Sequence, residues 1–95
     1  MNVLEKHPWA QKRVAVDWSP YLVSAGTTIS SSVWLDTKAV VTLGGAAVNG
    51  AVSSVVASGG TAGDTAYVEN RVTFADGTSD VVTIMMPIVI KGWPV

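Results

Sequence analysis

Apolar and polar residues alternate along the last third of the chain, and this pattern predicts a long β-hairpin over residues 65–90. Val68, Val72 and Phe74 share one face of the first strand. On the second strand the even-numbered residues 82, 84, 86, 88 and 90 are all apolar. A period of two is the signature of a half-buried strand, so the hairpin indicates a β-rich fold.

The turn of this hairpin must bring the two apolar faces together. A two-residue loop at Asp76-Gly77 would place Val72 opposite Val81 and mix the faces. A three-residue loop, Ala75-Asp76-Gly77, instead places Asn70 opposite Val82 and keeps the faces aligned. We therefore predict a type I turn closed by a left-handed glycine, because a slip of one residue would invert every side chain.

Four shorter strands are predicted before the hairpin. They cover residues 13–18, 27–35, 39–43 and 51–57, with the glycine-rich residues 44–50 as a loop. No stretch shows convincing helical periodicity. Trp18 is expected in the core because it shares a face with Val14 and Val16, whereas Trp34 is expected to point away from Val33 and Leu35.

Short strands with turn signals every 8–12 residues predict an all-β, immunoglobulin-like antiparallel β-sandwich of about six to seven strands with irregular N- and C-terminal arms. We divide the chain into an N-terminal arm (1–12), a sandwich domain (13–91) and a C-terminal tail (92–95). Pro8 prevents a regular helix in the first of these segments.

Charged residues make up only 14% of the chain and hydrophobic residues 48%, so part of the surface is expected to be covered by another protein. The net charge of −1 and the lack of a basic stripe argue against a nucleic-acid partner. Residues 39–63 carry no charge, but glycines and serines interrupt them too often for a membrane span. The first residues lack the apolar core of a secretory signal.

Residues with catalytic chemistry are few. His7 is the single histidine, and the serines show no nucleophile-elbow pattern, so no catalytic triad is indicated. Asp64, Asp76 and Asp80 lack the spacing of a calcium loop and are expected to serve turns and solubility. There is no cysteine for a disulfide or a cysteine zinc site. We predict no enzyme activity, no cofactor and no metal.

The tryptophans and the last strand indicate an interface with other chains. Val81, Met85 and Val89 make the nominally solvent side of that strand apolar, and Pro87 suits a strand at a sheet edge. Tryptophans in terminal segments either contact a partner or dock on the sandwich, and the sequence leaves both open. The predicted interface residues are Trp9, Trp34, Val81, Met85, Val89 and Trp93.

Several short motifs occur in an order that resembles a family of small virion proteins. They are residues 16–19 (VDWS), 21–22 (YL), 26–34 (GTTISSSVW), 58–63 (SGGTAG), 67–73 (YVENRVT) and 76–77 (DG). Together they resemble the fiber–tail adaptor proteins of tailed phages. The chain departs from the pattern in its alanine-rich middle, residues 44–57, and at Thr78, where a basic residue is commoner.

The resemblance implies an immunoglobulin-like sandwich, a location in the virion after synthesis in the host cytoplasm, and no enzyme activity. Its expected function is to link fibers to the tail or neck through contacts with other virion proteins, as a homo-oligomer or in many copies. One alternative is a capsid decoration or cement protein with the same fold. Another is a carbohydrate-binding module, for which Trp34 and Tyr67 are the candidate aromatic residues.

Overall fold

The computed structural model describes residues 2–90 and contains seven strands and one helix within them. The elements in chain order are β1 (Asn2–Val3), β2 (Lys12–Asp17), α1 (Ser19–Ala25), β3 (Ile29–Asp36), β4 (Thr42–Asn49), β5 (Val52–Ser58), β6 (Thr65–Phe74) and β7 (Ser79–Pro87).

These strands form two sheets that pack face to face. One sheet has the order β1-β7-β6-β3, and the other has the order β2-β5-β4. Taking β2 to β7 as strands B to G, this arrangement agrees with the B-E-D and C-F-G sheets of immunoglobulin domains. The predicted sandwich is confirmed. The described part of the chain measures 50 × 25 × 22 Å, so the domain is elongated.

The β6–β7 hairpin has the predicted register. Asn70 lies opposite Val82, and the amide of Phe74 donates to the carbonyl of Thr78 at 2.8 Å. Gly77 has a φ of 89°, which is the left-handed glycine that the three-residue loop requires. Both predictions, the loop and the pairing, are confirmed.

The two faces of β3 are exchanged beyond residue 30 relative to a regular alternation that starts at Ile29. A β-bulge between Ile29 and Ser31 inserts one extra residue, so the later residues reverse their orientation. Trp34 lies opposite the buried Asn70 and points inward, whereas Val33 points outward and is 55% exposed. One inserted residue therefore exchanges the expected positions of a tryptophan and a valine.

Two further assignments from the sequence are corrected. The glycine-rich segment is not a loop, because β4 runs through it with a bulge at Gly45, whose φ is 63°. Residues 19–25 form α1, a helix that the sequence analysis missed. Pro20 lies in its first turn and Gly26 ends it with a φ of 67°, which are standard start and stop signals.

The segment predicted as an irregular N-terminal arm is attached to the sandwich. Asn2 and Val3 pair in parallel with Ile84 and Met85 of β7, and Lys6 makes a further bridge to Ile88. The edge of the last strand is therefore covered between Ile84 and Ile88 by the chain's own N-terminal residues.

The core consists of two apolar clusters joined by a polar layer. The larger cluster includes Val55, Val68 and Met86, and the smaller comprises Trp18, Val72 and Phe74. Phe74 contacts the Trp18 ring edge to face and stacks on Tyr21, with centroid distances of 5.8 and 4.5 Å. The predicted core position of Trp18 is confirmed.

Asn70 lies between these clusters on β6 and is fully buried. Its Oδ1 accepts from the Trp18 indole at 2.9 Å, and its Nδ2 donates to the Ser32 hydroxyl at 2.8 Å. The Ser53 hydroxyl is bonded to that of Ser32 and accepts from the Trp34 indole at 2.8 Å. Because Ser53 belongs to β5 and Asn70 to β6, the network ties one sheet to the other and satisfies the polar groups that it buries.

Candidate interaction surfaces

The solvent side of the four-stranded sheet carries a cluster of apolar side chains, here called the outer sheet face. Directly paired residues of neighbouring strands point to the same side of a sheet. Met85 is paired with Val3 and with Tyr67, and Arg71 is paired with Val33 and with Val81. These six side chains therefore lie on the outer sheet face. Val3, Val33 and Val81 are 57%, 55% and 48% exposed. A sheet face with several exposed valines is a candidate protein contact site.

Two charged residues of the outer sheet face, Glu69 and Arg71, form an ion pair with each other. The Arg71 guanidinium contacts the Glu69 carboxylate at 3.0 Å, and Lys38 lies over the Tyr67 ring at 6.0 Å from its centroid. An exposed pair of this kind contributes little to stability. Because the Glu69–Arg71 pair has no net charge, a partner that covers the surrounding valines meets a lower desolvation cost than it would over an unpaired charge.

The turn over residues 7–10, here called the Trp9 turn, forms a second exposed feature. The Ala10 amide donates to the His7 carbonyl, and the Trp9 amide donates to His7 Nδ1, both at 3.0 Å. This closed turn presents the Trp9 side chain with 88% of its surface exposed. A tryptophan held so far into solvent is a strong candidate anchor for a partner.

Lys6, immediately before this turn, is only 1% exposed. Its Nζ donates to the carbonyl oxygens of His7 and Gly59. Burial lowers the pKa of this ammonium from its ordinary value of 10.5. The side chain therefore connects the N-terminal segment to the loop that follows β5.

The carboxylates at the turns organise backbone rather than ligands. Asp36 accepts hydrogen bonds from the amides of Lys38, Val40, Val41 and Tyr67 at 2.7–3.2 Å. Its burial raises the pKa, but the four amides together outweigh burial and hold the pKa below 3.8.

Two exposed aspartates act in the same way within single turns. The hydroxyl and amide of Ser19 lower the pKa of Asp17, and those of Thr78 lower the pKa of Asp76. The turn role predicted for Asp76 is therefore confirmed. Among residues 2–90, no three histidine or acidic side chains come together in a way that could hold a metal ion. No helix in this part of the chain is long and apolar enough to cross a membrane.

The predicted interface residues have different positions. Trp9, Val81 and Met85 lie on the two surfaces described above, and Val89 is half-buried with its amide bonded to the Lys6 carbonyl at 2.9 Å. Trp34 points into the sandwich, on the opposite side of the sheet from Tyr67, so these two rings share no face. Trp93 lies outside the described residues.

Sequence reasoning missed Val3 and Val33 as members of the outer sheet face. The alternation of β3 places Val33 and Trp34 on opposite faces, but the bulge before them decides which of the two faces solvent. No local signal identifies Val3, because its position depends on pairing with residues more than 80 positions away.

A β-sandwich with exposed apolar surfaces fits the class of protein-contact modules. The match to known families agrees with this class. The family described as podophage GP4 fiber-tail adaptor protein gp77 matches residues 6–87 of the 95-residue chain, and the chain belongs to it. This family is one of structural adaptors and not a class of enzymes. No curated protein matches the chain significantly.

Proposed function

We propose that this chain connects fiber and tail components of a podophage virion, and that the outer sheet face is one of its contact surfaces. The observation that carries the proposal is the apolar outer sheet face around an internally paired Glu69 and Arg71, in a member of an adaptor family. The chain is made in the host cytoplasm and acts in the particle without a cofactor, nucleic acid or membrane.

An adaptor needs at least two contact surfaces, and the Trp9 turn supplies the second. Its exposed indole can bury a large area at small entropic cost. Val89 and Trp93 follow β7 in the chain and are included in the proposed interface as neighbours of its end.

The sandwich between these surfaces acts as a spacer. The body is 50 Å long, and the hydrogen bonds among Asn70, Ser53 and Trp18 hold its two sheets together. The protein works as a homo-oligomer or in many copies, so modest individual contacts combine through avidity.

An affinity pull-down tests this function. The tagged chain is incubated with lysate of a phage-infected host, and the retained proteins are identified by mass spectrometry. Recovery of fiber and tail or neck proteins is the expected result. Recovery of the major capsid protein alone would show a decoration protein instead, and recovery of no virion protein would overturn the proposal.

Matched aspartate variants test the outer sheet face. Val81→Asp places a charge on that face, while Val48→Asp places one at a similarly exposed position on β4, since these valines are 48% and 47% exposed. Val81→Asp should lose one class of virion protein from the pull-down and Val48→Asp should retain it. Equal retention by both variants would exclude the outer sheet face as the contact surface.

A further inference from the structure

The N-terminal segment, residues 2–6, is held on the sandwich mainly through one edge of β7. The Leu4 amide donates to the Met85 carbonyl at 2.9 Å, the Lys6 amide to the Pro87 carbonyl at 3.0 Å, and the Val89 amide to the Lys6 carbonyl at 2.9 Å. These bonds are made by backbone groups, and β1 contains only two residues, both exposed. Any extended segment in the same register could form them, which is the basis of strand addition at a sheet edge.

Lys6 determines which segment fits this edge. Its buried ammonium donates to the His7 carbonyl, which belongs to the segment's own side, and to the Gly59 carbonyl, which belongs to the sandwich. A buried ammonium requires such acceptors, and a segment without this lysine would leave the Gly59 carbonyl without its donor. The occupant that matches the edge is therefore the N-terminal segment of this same sequence.

The segment is joined to β2 by residues 7–11, which act as a hinge. In the structure this hinge is folded into the Trp9 turn, where only two hydrogen bonds close it. Once the turn opens, these five residues can extend over roughly 17 Å. That length lets the segment leave its own β7 and dock on β7 of a molecule packed beside it.

We propose that the N-terminal segment exchanges between copies of this chain, each copy docking its residues 2–6 on β7 of a neighbour. The backbone bonds and the Lys6 contacts are the same in the closed and the exchanged forms, so exchange requires no new complementary surface. Trp9 lies at the junction of two copies and becomes buried there. Each copy donates one segment and accepts one, so reciprocal exchange gives a closed dimer and head-to-tail exchange builds a ring or a filament.

This inference rests on the proposed function only in its need for many copies in the particle. It names a second copy as the partner of the surface around Trp9, so that surface joins copies to one another and the outer sheet faces of the assembly remain for the fiber and tail proteins. If the exchange experiments fail but the chain still retains fiber and tail proteins in the pull-down, the exchange is overturned and the adaptor function is not.

The first test uses disulfide trapping, which the cysteine-free sequence makes unambiguous. A Val3→Cys chain is mixed at high concentration with a Met85→Cys chain of different mass and oxidised. These residues are directly paired in the structure, so a mixed disulfide requires the segment of one copy on β7 of another. The control is an Arg71→Cys chain with a Val81→Cys chain, a pair within one hairpin.

The expected result is a mixed disulfide several-fold more abundant for the first pair than for the control. Equal yields for the two pairs would overturn the proposal. A Val3→Cys/Met85→Cys double variant, which can close within one chain, shows that the geometry permits the bond.

The second test needs no disulfide and measures mass in solution by light scattering. Deleting Ala10 and Gln11 shortens the hinge and should raise the oligomeric fraction, whereas inserting three Gly/Ser residues after Gln11 should lower it. Unchanged mass distributions for both hinge variants, in proteins with native circular dichroism, would contradict the exchange.

Discussion

In the β6–β7 hairpin both strands bury alternate side chains, whereas in the β4–β5 hairpin only β5 does so. Both hairpins contribute a central strand to their sheets, and they differ in the outer strand. β7 is covered along part of its free edge by the N-terminal segment, while β4 has no strand on its other side within residues 2–90. The outer strands of the two hairpins therefore bury different amounts of apolar surface, and we expect β7 to contribute more to stability than β4.

The largest effect is expected from removing the ring of Phe74. Phe74→Ala deletes a fully buried ring that contacts Trp18 and Tyr21, and should cost about 3–5 kcal/mol of unfolding free energy. Since small domains are stable by about 5–15 kcal/mol, this is a large share. Urea unfolding measures it. Val48→Ala on β4 is the control, with an expected change below about 0.5 kcal/mol. Equal losses of unfolding free energy for the two variants would contradict the difference in burial between the two hairpins.

The next effect concerns the polar layer between the sheets. Asn70→Ala leaves the Trp18 indole without its acceptor and Ser32 without a donor, which should cost about 2–3 kcal/mol. The change should also broaden tryptophan fluorescence, since Trp18 loses its fixed partner. Asn49→Ala, at the exposed end of β4, should leave both stability and fluorescence unchanged. A neutral Asn70→Ala would show that the network contributes nothing.

Asp36 joins the two hairpins, because its carboxylate accepts from amides before β4 and from Tyr67 in β6. Its pKa in the folded chain is depressed below 3.8, so its contribution is present above that pH and is lost as the pH falls through the folded pKa.

Asp36→Asn should therefore cost about 1 kcal/mol at neutral pH, and the difference from the wild type should shrink in acid. Thermal melts between neutral pH and strong acid measure this convergence. Asp80→Asn, whose carboxylate accepts only from the adjacent Val81 amide at 2.8 Å, serves as control. A difference that grows on acidification would contradict the assignment.

Glycine substitutions give the smallest and most discriminating effect, because the two hairpins should respond with opposite sign. Gly77→Ala places a β-carbon at a φ of 89° and should destabilise by about 1 kcal/mol. Gly44 has no atom within 4 Å of an added β-carbon and no positive φ, so Gly44→Ala should stabilise by about 0.5 kcal/mol. Differential scanning calorimetry resolves the two shifts. The same sign for both would show that β4 is more constrained than its exposure indicates.

The β6–β7 hairpin could be predicted from the sequence more completely than the β4–β5 hairpin. The β6–β7 register could be predicted because its alternation and its Asp76-Gly77 turn are local signals that agree with each other. Trp18 could be placed in the core for the same reason. The same alternation places Asn70 on the apolar face, where it lies, but the side chains of Trp18, Ser32 and Ser53 that bond to it are distant in the sequence.

The remaining differences arise where one residue or one distant partner decides the structure. The bulge beside Ser30 reverses β3, and nothing in a run of three serines marks the inserted position. The helix α1 is short and lacks a fully buried side chain, so periodicity could not reveal it, although Pro20 and Gly26 could have. Pairing of β1 with β7 joins opposite ends of the chain, which alternation within either strand cannot predict.

The parallel pairing of β1 with β7 also has a mechanical consequence. A fiber subjected to flow pulls on its attachment, and tension between Asn2 and Ile90 would draw the two strands in opposite directions along their common axis. The bonds from Leu4 to Met85, from Lys6 to Pro87 and from Val89 to Lys6 would then be sheared together instead of being opened one after another. Resistance to tension is therefore concentrated in the residues that begin and end the sandwich.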